Sequence, residues 1–185
     1  MRSTRWMLLL LTAVLLGGAG GCANNGTITG GDATLPENEN SAAYLDRIST
    51  APCVSENDAA RAMLLLADQQ DATATFSQRV GKLADRQVVD PSWDHVADRP
   101  ITRGRVAYMV FQATEMPGGV IVTLTGPSQR YCLRELQYRR MMIQGPAHET
   151  VSGMELVAVL TRASIYRQTG QVPNLVGNTD EEGQE

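Results

Sequence analysis

The chain has 185 residues, with 16 basic and 20 acidic side chains and a net charge of −4 at neutral pH. Aromatic residues make up only 5% of it, so Leu, Val, Met and Ala must fill a core. The acidic balance excludes a protein that binds nucleic acid through an overall basic charge.

The first 21 residues have the pattern of a secretory signal peptide. Arg2 and Arg5 precede an apolar run from Trp6 to Leu16, and small residues lead up to Cys22. The four residues ending at Cys22, AGGC, are similar to a bacterial lipobox, in which the Cys is acylated. The alternatives are a cleaved signal with an unmodified Cys, or a retained membrane helix, for which the run is short of the ~20 residues that a span needs.

We therefore predict an envelope lipoprotein attached to the membrane by lipid at Cys22. The residues that follow Cys22 lack the Asp that resembles an inner-membrane retention signal, which favours the outer membrane, facing the periplasm. Residues 22–51 are rich in Asn, Gly and Thr and show no helical period, which predicts a flexible tether. Residues 169–185 end in a cluster of acids and are predicted to be a disordered tail.

Residues 52–168 are predicted to form one helical domain. Its length is normal for a single core, and between residues 51 and 167 there are 13 basic and 12 acidic side chains, so no nucleic-acid partner is expected. Ser55 begins the first predicted helix with an S-x-x-D cap. Residues 118–124 are rich in β-branched side chains, but a lone strand has no partner, which predicts a buried extended linker or a short helix. Ser128 is the predicted N-cap of the next helix.

One pattern occurs twice, at residues 100–113 and 151–163. In each copy a hydroxyl residue, Thr102 or Ser152, precedes apolar residues spaced i, i+3, i+4, i+7, which predicts a capped amphipathic helix. The apolar positions are Val106, Met109, Val110 and Ala113 in the first copy, and Leu156, Val159, Leu160 and Ala163 in the second. Glu155, three residues after Ser152, predicts a capping box.

A second helix precedes each of these copies. Phe76, Val80, Leu83 and Ala84 mark one face of the first, and Cys132, Leu136 and Arg139 occupy the corresponding positions of the second. Val88 and Val89 then align with Met141 and Met142. The sequence predicts an all-α fold of tandem helix-loop-helix units at about 74–116 and 128–167, with an extra N-terminal helix that is interpreted as the remnant of a third unit.

These units resemble the S-layer homology repeat. That family has a helix ending in an apolar pair, a loop with Gly, Asp and Pro, and a second helix with a T-R-A-E-like start. Thr102 and Arg103 match this start, whereas Arg105 stands where the family has Glu and Gly153 where it has Arg. The resemblance covers about 76–113 well and 131–163 less well, with two clear units instead of the usual three. It implies a non-catalytic module that binds cell-wall glycan or an envelope protein.

Trp93, Thr102 and Arg103 are the candidate glycan-binding or partner-binding residues. An exposed aromatic face beside a planar guanidinium is suited to holding a sugar polymer. The alternative is that Trp93 is a plug, packed on the helices to fix the path of its loop.

The loop that contains Trp93 also supports an alternative function. Asp90, Asp94, His95 and Asp98 are close enough in sequence to bind a metal, as a small periplasmic metal-dependent enzyme would require. Their spacing matches neither a calcium loop nor a zinc pair, and no nucleophile or phosphate-loop motif occurs. We expect no catalysis, no cofactor and no metal.

Two further groups of side chains have two interpretations each. Cys53 and Cys132 are the only thiols left once Cys22 is acylated, which predicts a disulfide between them, with two buried free thiols as the alternative. Four arginines at 130, 134, 139 and 140 could bind an anionic polymer or simply form an exposed helix face, where Glu135 is an i, i+4 partner for Arg139.

Overall fold

The computed structural model describes residues 40–73 and 75–173, which form seven α-helices and no β-strand. The predicted all-α class is confirmed for this part of the chain. The helices are α1 (Ser41–Ser49), α2 (Glu56–Asp68), α3 (Phe76–Asp85), α4 (Arg103–Ala113), α5 (Val120–Thr125), α6 (Gln129–Tyr138) and α7 (Gly153–Thr169). The predicted signal peptide, Cys22 and residues 174–185 lie outside the described residues.

Hydroxyl side chains begin five of the helices: Thr75 caps α3, and the other four caps are those that the sequence predicts. Ser55, Thr102, Ser128 and Ser152 each accept a hydrogen bond from the backbone N–H three residues further on. Such a cap is worth about 1 kcal/mol because it satisfies an N–H group that has no partner inside the helix. The predicted capping box at Ser152 is half formed, because the Glu155 carboxylate binds Arg103 instead of returning to the start of its own helix.

Six of the helices form three consecutive pairs that close into a ring. The pairs are α1 with α2, α3 with α4, and α6 with α7. The first helix of each pair packs against the second helix of another pair: α3 on α2, α6 on α4, and α1 on α7. The three second helices, α2, α4 and α7, contact one another, so the core lies where they meet.

Three backbone hydrogen bonds join the pairs at the start of these central helices. The N–H of Val54 donates to the carbonyl of Val151 at 2.9 Å, that of Ile101 to Val54 at 2.9 Å, and that of Val151 to Ile101 at 3.2 Å. Each residue therefore donates once and accepts once within a cycle. All three side chains are buried, so the cycle satisfies backbone groups that water does not reach.

The prediction that residues 22–51 are a flexible tether is wrong over Ser41–Ser49, which is α1. Asn40 caps this helix by accepting from the N–H of Ala43 at 2.8 Å. Tyr44 and Ile48 are 0% and 1% exposed, and the Tyr44 hydroxyl donates to the carbonyl of Asp58 in α2 at 2.5 Å. Two buried side chains on a nine-residue helix give too little periodicity to predict it.

The loops between α3 and α4 and between α6 and α7 begin with the same backbone conformation. Gln87 and Arg140 have φ angles of 58° and 57°, in the left-handed region. The next N–H groups, of Val88 and Met141, donate back to the carbonyls of Leu83 and Leu136, each at 2.8 Å. The apolar pairs that follow these turns are buried, in agreement with their predicted alignment.

The segment at 118–124 contains the short helix α5, one of its two predicted forms, but the prediction that it is buried is wrong. Val122 is buried, whereas Val120, Ile121 and Leu124 are 76%, 50% and 80% exposed. The β-branched composition of the segment therefore reflects neither a strand nor a core position.

Candidate functional site

Arg103, a predicted glycan-binding residue, lies inside the structure and not on its surface. Its side chain is 7% exposed. Nε and Nη2 donate to the two carboxylate oxygens of Glu155 at 2.9 and 3.2 Å, and Nη1 binds Glu149. Hydrogen bonding to Glu155, opposed by burial and assisted by Glu149, raises the pKa of Arg103 above its usual value. The prediction of an accessible guanidinium at this position is wrong, because two carboxylates of the last helix pair already hold it.

Trp93 is half-buried and packs on the helices, as the plug interpretation requires. Its ring lies 5.1 Å from that of Tyr108 in an edge-to-face contact and 6.2 Å from that of His95. The cation beside it is Arg105, whose guanidinium lies 5.0 Å from the ring centroid. The structure thus pairs an aromatic face with a planar cation, but through a different arginine from the predicted one.

The third predicted residue, Thr102, is the N-cap of α4. Its hydroxyl oxygen accepts from the N–H of Arg105 at 3.4 Å. The side chain is half-buried and lines a groove next to Arg105. Its main role in the geometry is to fix where α4 begins, which places Arg103 on the buried side and Arg105 on the groove side.

Glu56 is the residue that sequence reasoning missed. It is 4% exposed, and its carboxylate accepts from Nε of Arg99 at 2.6 Å, from Arg105, and from the N–H of Val96 at 3.1 Å. In the sequence it reads only as an acid in the first turn of a helix. Its partners are 40 or more positions away in the chain, so no local pattern could have shown it.

His95 faces this carboxylate from the loop. Its Nδ1 lies 3.8 Å from an oxygen of Glu56. Burial lowers the pKa of His95 below its usual 6.5; Glu56 and Asp94 oppose this shift, and the positive charges of Arg105 and Arg99 add to it. Burial thus favours the neutral imidazole, and the two arginines that bind Glu56 assist it.

Glu56, Arg99 and Arg105 line a groove of about 470 Å³, which is called the polar groove here after these charged groups. Arg99 and Arg105 supply guanidinium groups, Thr102 a hydroxyl, and Gln129 and His148 line the groove from the third helix pair. The Arg99 side chain is 35% exposed and that of Arg105 17%, so both remain in reach of a ligand. A row of planar donors beside a hydroxyl and an amide suits a hydroxyl-rich or carboxylate-bearing ligand.

A second groove, about 580 Å³, lies between α2 and α7 and is lined by both apolar and polar side chains. Leu65, Val157 and Ile165 are among its lining residues. These apolar side chains, together with polar ones such as Asp68 and Thr161, suit a protein surface, which combines an apolar centre with polar groups around it.

The loop proposed for a metal-dependent enzyme directs its acids to other partners. Asp90 accepts from the N–H of Ser92 at 2.8 Å and from its hydroxyl at 2.6 Å, and these bonds lower the pKa of Asp90. Asp94 pairs with Arg99 at 3.1 Å. Within residues 40–73 and 75–173, no three His, Cys, Asp or Glu side chains are grouped so as to hold a metal ion.

The predicted disulfide between Cys53 and Cys132 is wrong, because Cys132 is a free thiol. It is 0% exposed in α6, and burial raises its pKa to about 11. The helical position that makes Cys132 a core residue also removes it from any partner on the surface. The predicted i, i+4 ion pair on the same helix is present, with 2.7 Å between Nε of Arg139 and an oxygen of Glu135.

No described helix combines the length and the apolar character that crossing a membrane requires. Comparison of the chain with protein-family models, with curated proteins and with solved structures finds no match.

Proposed function

We propose that the chain is a non-catalytic lipoprotein of the bacterial cell envelope, attached to the outer membrane through acylated Cys22, whose helical domain binds a cell-wall glycan. The observation that carries this proposal is the groove that contains Arg99, Thr102 and Arg105, with Trp93 stacked behind Arg105. Guanidinium groups held rigidly by a buried carboxylate lose little entropy when they bind a sugar hydroxyl or an acidic substituent.

The closed ring supports an S-layer-homology-like architecture with three units. Each pair contributes one helix to the centre, and each central helix starts directly after the cycle of Val54, Ile101 and Val151. On this view α1 and α2 together are the third unit, of which the sequence pattern predicted only one helix. Thr102 and Arg103 keep the family's helix start, but the domain uses Arg103 to join two units and Arg105 to face the groove.

The glycan proposal is tested by sedimenting the purified protein with cell-wall sacculi. Arg105→Ala is expected to weaken sedimentation about tenfold, equivalent to about 1.4 kcal/mol, because it removes one charge-assisted donor while Arg99 still neutralises Glu56. Arg86→Ala is the control, since it also removes one arginine that is paired with a carboxylate, here Asp68, outside the polar groove. Equal losses in the two variants would show that only overall charge matters.

Failure of the unmutated protein to sediment at all would reject the glycan. A protein of the envelope is the second candidate, and the groove between α2 and α7, with Leu65, Val157 and Ile165 in its lining, is the observation that favours it. Leu65→Glu in that groove should then abolish capture of the partner, whereas Arg105→Ala should not.

The anchor is tested separately by mass spectrometry of protein extracted from membranes. The N-terminal peptide is expected to begin at Cys22 and to carry acyl chains, and Cys22→Ser should release the protein from the membrane fraction. A native protein that starts at Met1, or at an unmodified residue after Gly21, would contradict the lipoprotein assignment.

A further inference from the structure

Exposed apolar side chains concentrate on α5 and the helix that follows it. Seven large hydrophobic residues of the described chain are exposed, and five of them lie between positions 120 and 143. Val120 and Leu124, at 76% and 80%, project from a helix of only six residues. Exposed apolar residues scattered singly are ordinary, whereas a cluster on one short segment marks a contact surface.

Both threonine hydroxyls of α5 are bonded to carbonyl groups of the same segment. The hydroxyl of Thr123 donates to the carbonyl of Gly119 at 3.1 Å, and that of Thr125 to the carbonyl of Ile121 at 2.8 Å. Backbone bonds from Thr123 to Gly119 and from Gly126 to Val122 complete the turn. Contact of these side chains with an apolar medium therefore leaves no threonine hydroxyl without an acceptor, while the backbone ends of α5 can stay at the level of the polar headgroups.

Basic side chains are frequent in the same part of the chain. The chain as a whole is acidic, but residues 116–144 contain four arginines and one acid, Glu135. Arg139 pairs with that acid and also donates to the carbonyl of Pro117 at 2.8 Å, which holds the start of α5 against α6. Arg130 and Arg134 are exposed and, with Tyr138, repeat every four residues, so they form one exposed stripe along α6, the helix that follows α5.

We propose that α5 and the Arg130–Arg134–Tyr138 stripe form a second membrane contact, in which α5 enters the interface of an anionic bilayer. Valine and leucine side chains bury at the level of the headgroups, a tyrosine suits the interface, and arginine side chains reach anionic headgroups while their stems lie on apolar surface. A bilayer accepts the apolar ridge and the positive charge together, so the charge complementarity favours lipid over a protein partner.

The length of chain before α1 permits this contact. Eighteen residues separate Cys22 from Ser41, and they can span about 60 Å when extended. A domain tethered in this way can lie on the membrane to which Cys22 is predicted to be anchored. The inference does not depend on the glycan proposal, because the polar groove and α5 share no residue.

The test uses the full-length protein and vesicles of phosphatidylglycerol and phosphatidylcholine with brominated acyl chains. Leu124→Trp places a fluorescent probe on α5, and Met154→Trp is the matched control, since Met154 is 74% exposed on α7. After subtraction of the unmutated protein, which carries Trp6 and Trp93, the Leu124→Trp emission is expected to shift to shorter wavelength and to be quenched by the brominated lipid. The control probe should do neither.

Two further arms separate the possible results. Pure phosphatidylcholine vesicles, or the double variant Arg130→Gln/Arg134→Gln, should reduce the quenching of the Leu124→Trp probe by several fold. Backbone amide exchange over residues 120–126 of the unmutated protein should slow when anionic vesicles are added. Equal quenching of both probes, or emission and amide exchange that vesicles do not change, overturns the proposal. Amide exchange that slows only with an envelope protein extract, and not with lipid, also overturns it and assigns the surface to a protein partner.

Discussion

At the scale of single residues, Arg103 connects two helix pairs that are far apart in the chain. It starts α4 and binds Glu155 of α7, 52 positions later, with both side chains 7% exposed. We expect Arg103→Ala to lower the free energy of unfolding by about 3 to 5 kcal/mol, because it leaves a buried carboxylate without its cation. Urea denaturation measures this change.

Glu155→Ala should lower stability by less than Arg103→Ala, because Arg103 keeps Glu149, but by more than the roughly 1 kcal/mol that loss of a cap interaction alone would cost. Arg105→Ala is the comparison, since its partner Glu56 retains Arg99. A melting temperature of Arg103→Ala close to that of the unmutated protein would contradict the structural role of this ion pair.

His95 gives the stability a pH dependence. Its pKa is lowered in the folded state by burial, so the unfolded chain, with a pKa near 6.5, binds the proton more readily. Stability is therefore complete above about pH 6.5 and is lost as the pH falls below it, with a slope of at most about 1.4 kcal/mol per pH unit. The groups facing His95 are Glu56, Asp94, Arg99 and Arg105.

His95→Gln should remove this slope between about pH 6.5 and pH 5 when the free energy of unfolding is measured by urea denaturation. The variant His148→Gln removes the other histidine, which is exposed, and should retain the slope. If both variants behave alike, the pH dependence comes from other groups.

At the scale of elements, α1 fits against α7 because residue 153 is glycine. A Cβ at Gly153 would lie 1.5 Å from the carbonyl oxygen of Ile48 in α1. We expect Gly153→Ala to displace α1 and to lower stability by about 1 to 3 kcal/mol, with faster proteolysis around Tyr44. Urea denaturation and limited proteolysis measure these two effects.

The control for this substitution is Gly81→Ala in α3. Gly81 is exposed, and a Cβ added there would have no neighbouring atom within 4 Å, so alanine should stabilise the helix by about 0.5 to 1 kcal/mol. A loss of stability in Gly153→Ala and a gain in Gly81→Ala would separate a packing effect from the effect of helix propensity. Resistance of α1 to protease in Gly153→Ala would show that the contact is not needed.

The elements that could be predicted are those whose signal is local. The caps at Ser55, Thr102 and Ser152, and the apolar faces behind them, depend on spacings of three and four residues, which the sequence shows directly. Helix α1 could not be predicted, because its stability comes from the burial of Tyr44 and Ile48 against α2 and α7. The candidate site could not be predicted for the same reason. The carboxylates that bind Arg103, and the one that orients Arg105, lie in other helix pairs.

At the scale of the whole molecule, the ring makes the three helix pairs depend on one another. In an open stack each unit contacts only its neighbours, and the ends can unfold alone. In this domain α1 packs on α7, and the backbone hydrogen bonds among Val54, Ile101 and Val151 form a closed cycle. No helix pair is therefore a free end. Loss of any one pair exposes the central faces of the other two.

We therefore expect the described domain to unfold in a single transition. In Trp6→Phe, Trp93 is the one tryptophan left and reports on the second pair, while the reaction of Cys132 with a thiol reagent, followed by peptide mass, reports on the third, and circular dichroism reports on all helices. The three urea midpoints should coincide, because every pair closes the core of the other two. Val151→Ala, at a fully buried position of the cycle, should move all three midpoints together by about 1 to 3 kcal/mol. Labelling of Cys132 at a lower urea concentration than the loss of Trp93 fluorescence would show that the third pair opens alone, and that the backbone cycle does not bind the domain into one cooperative unit.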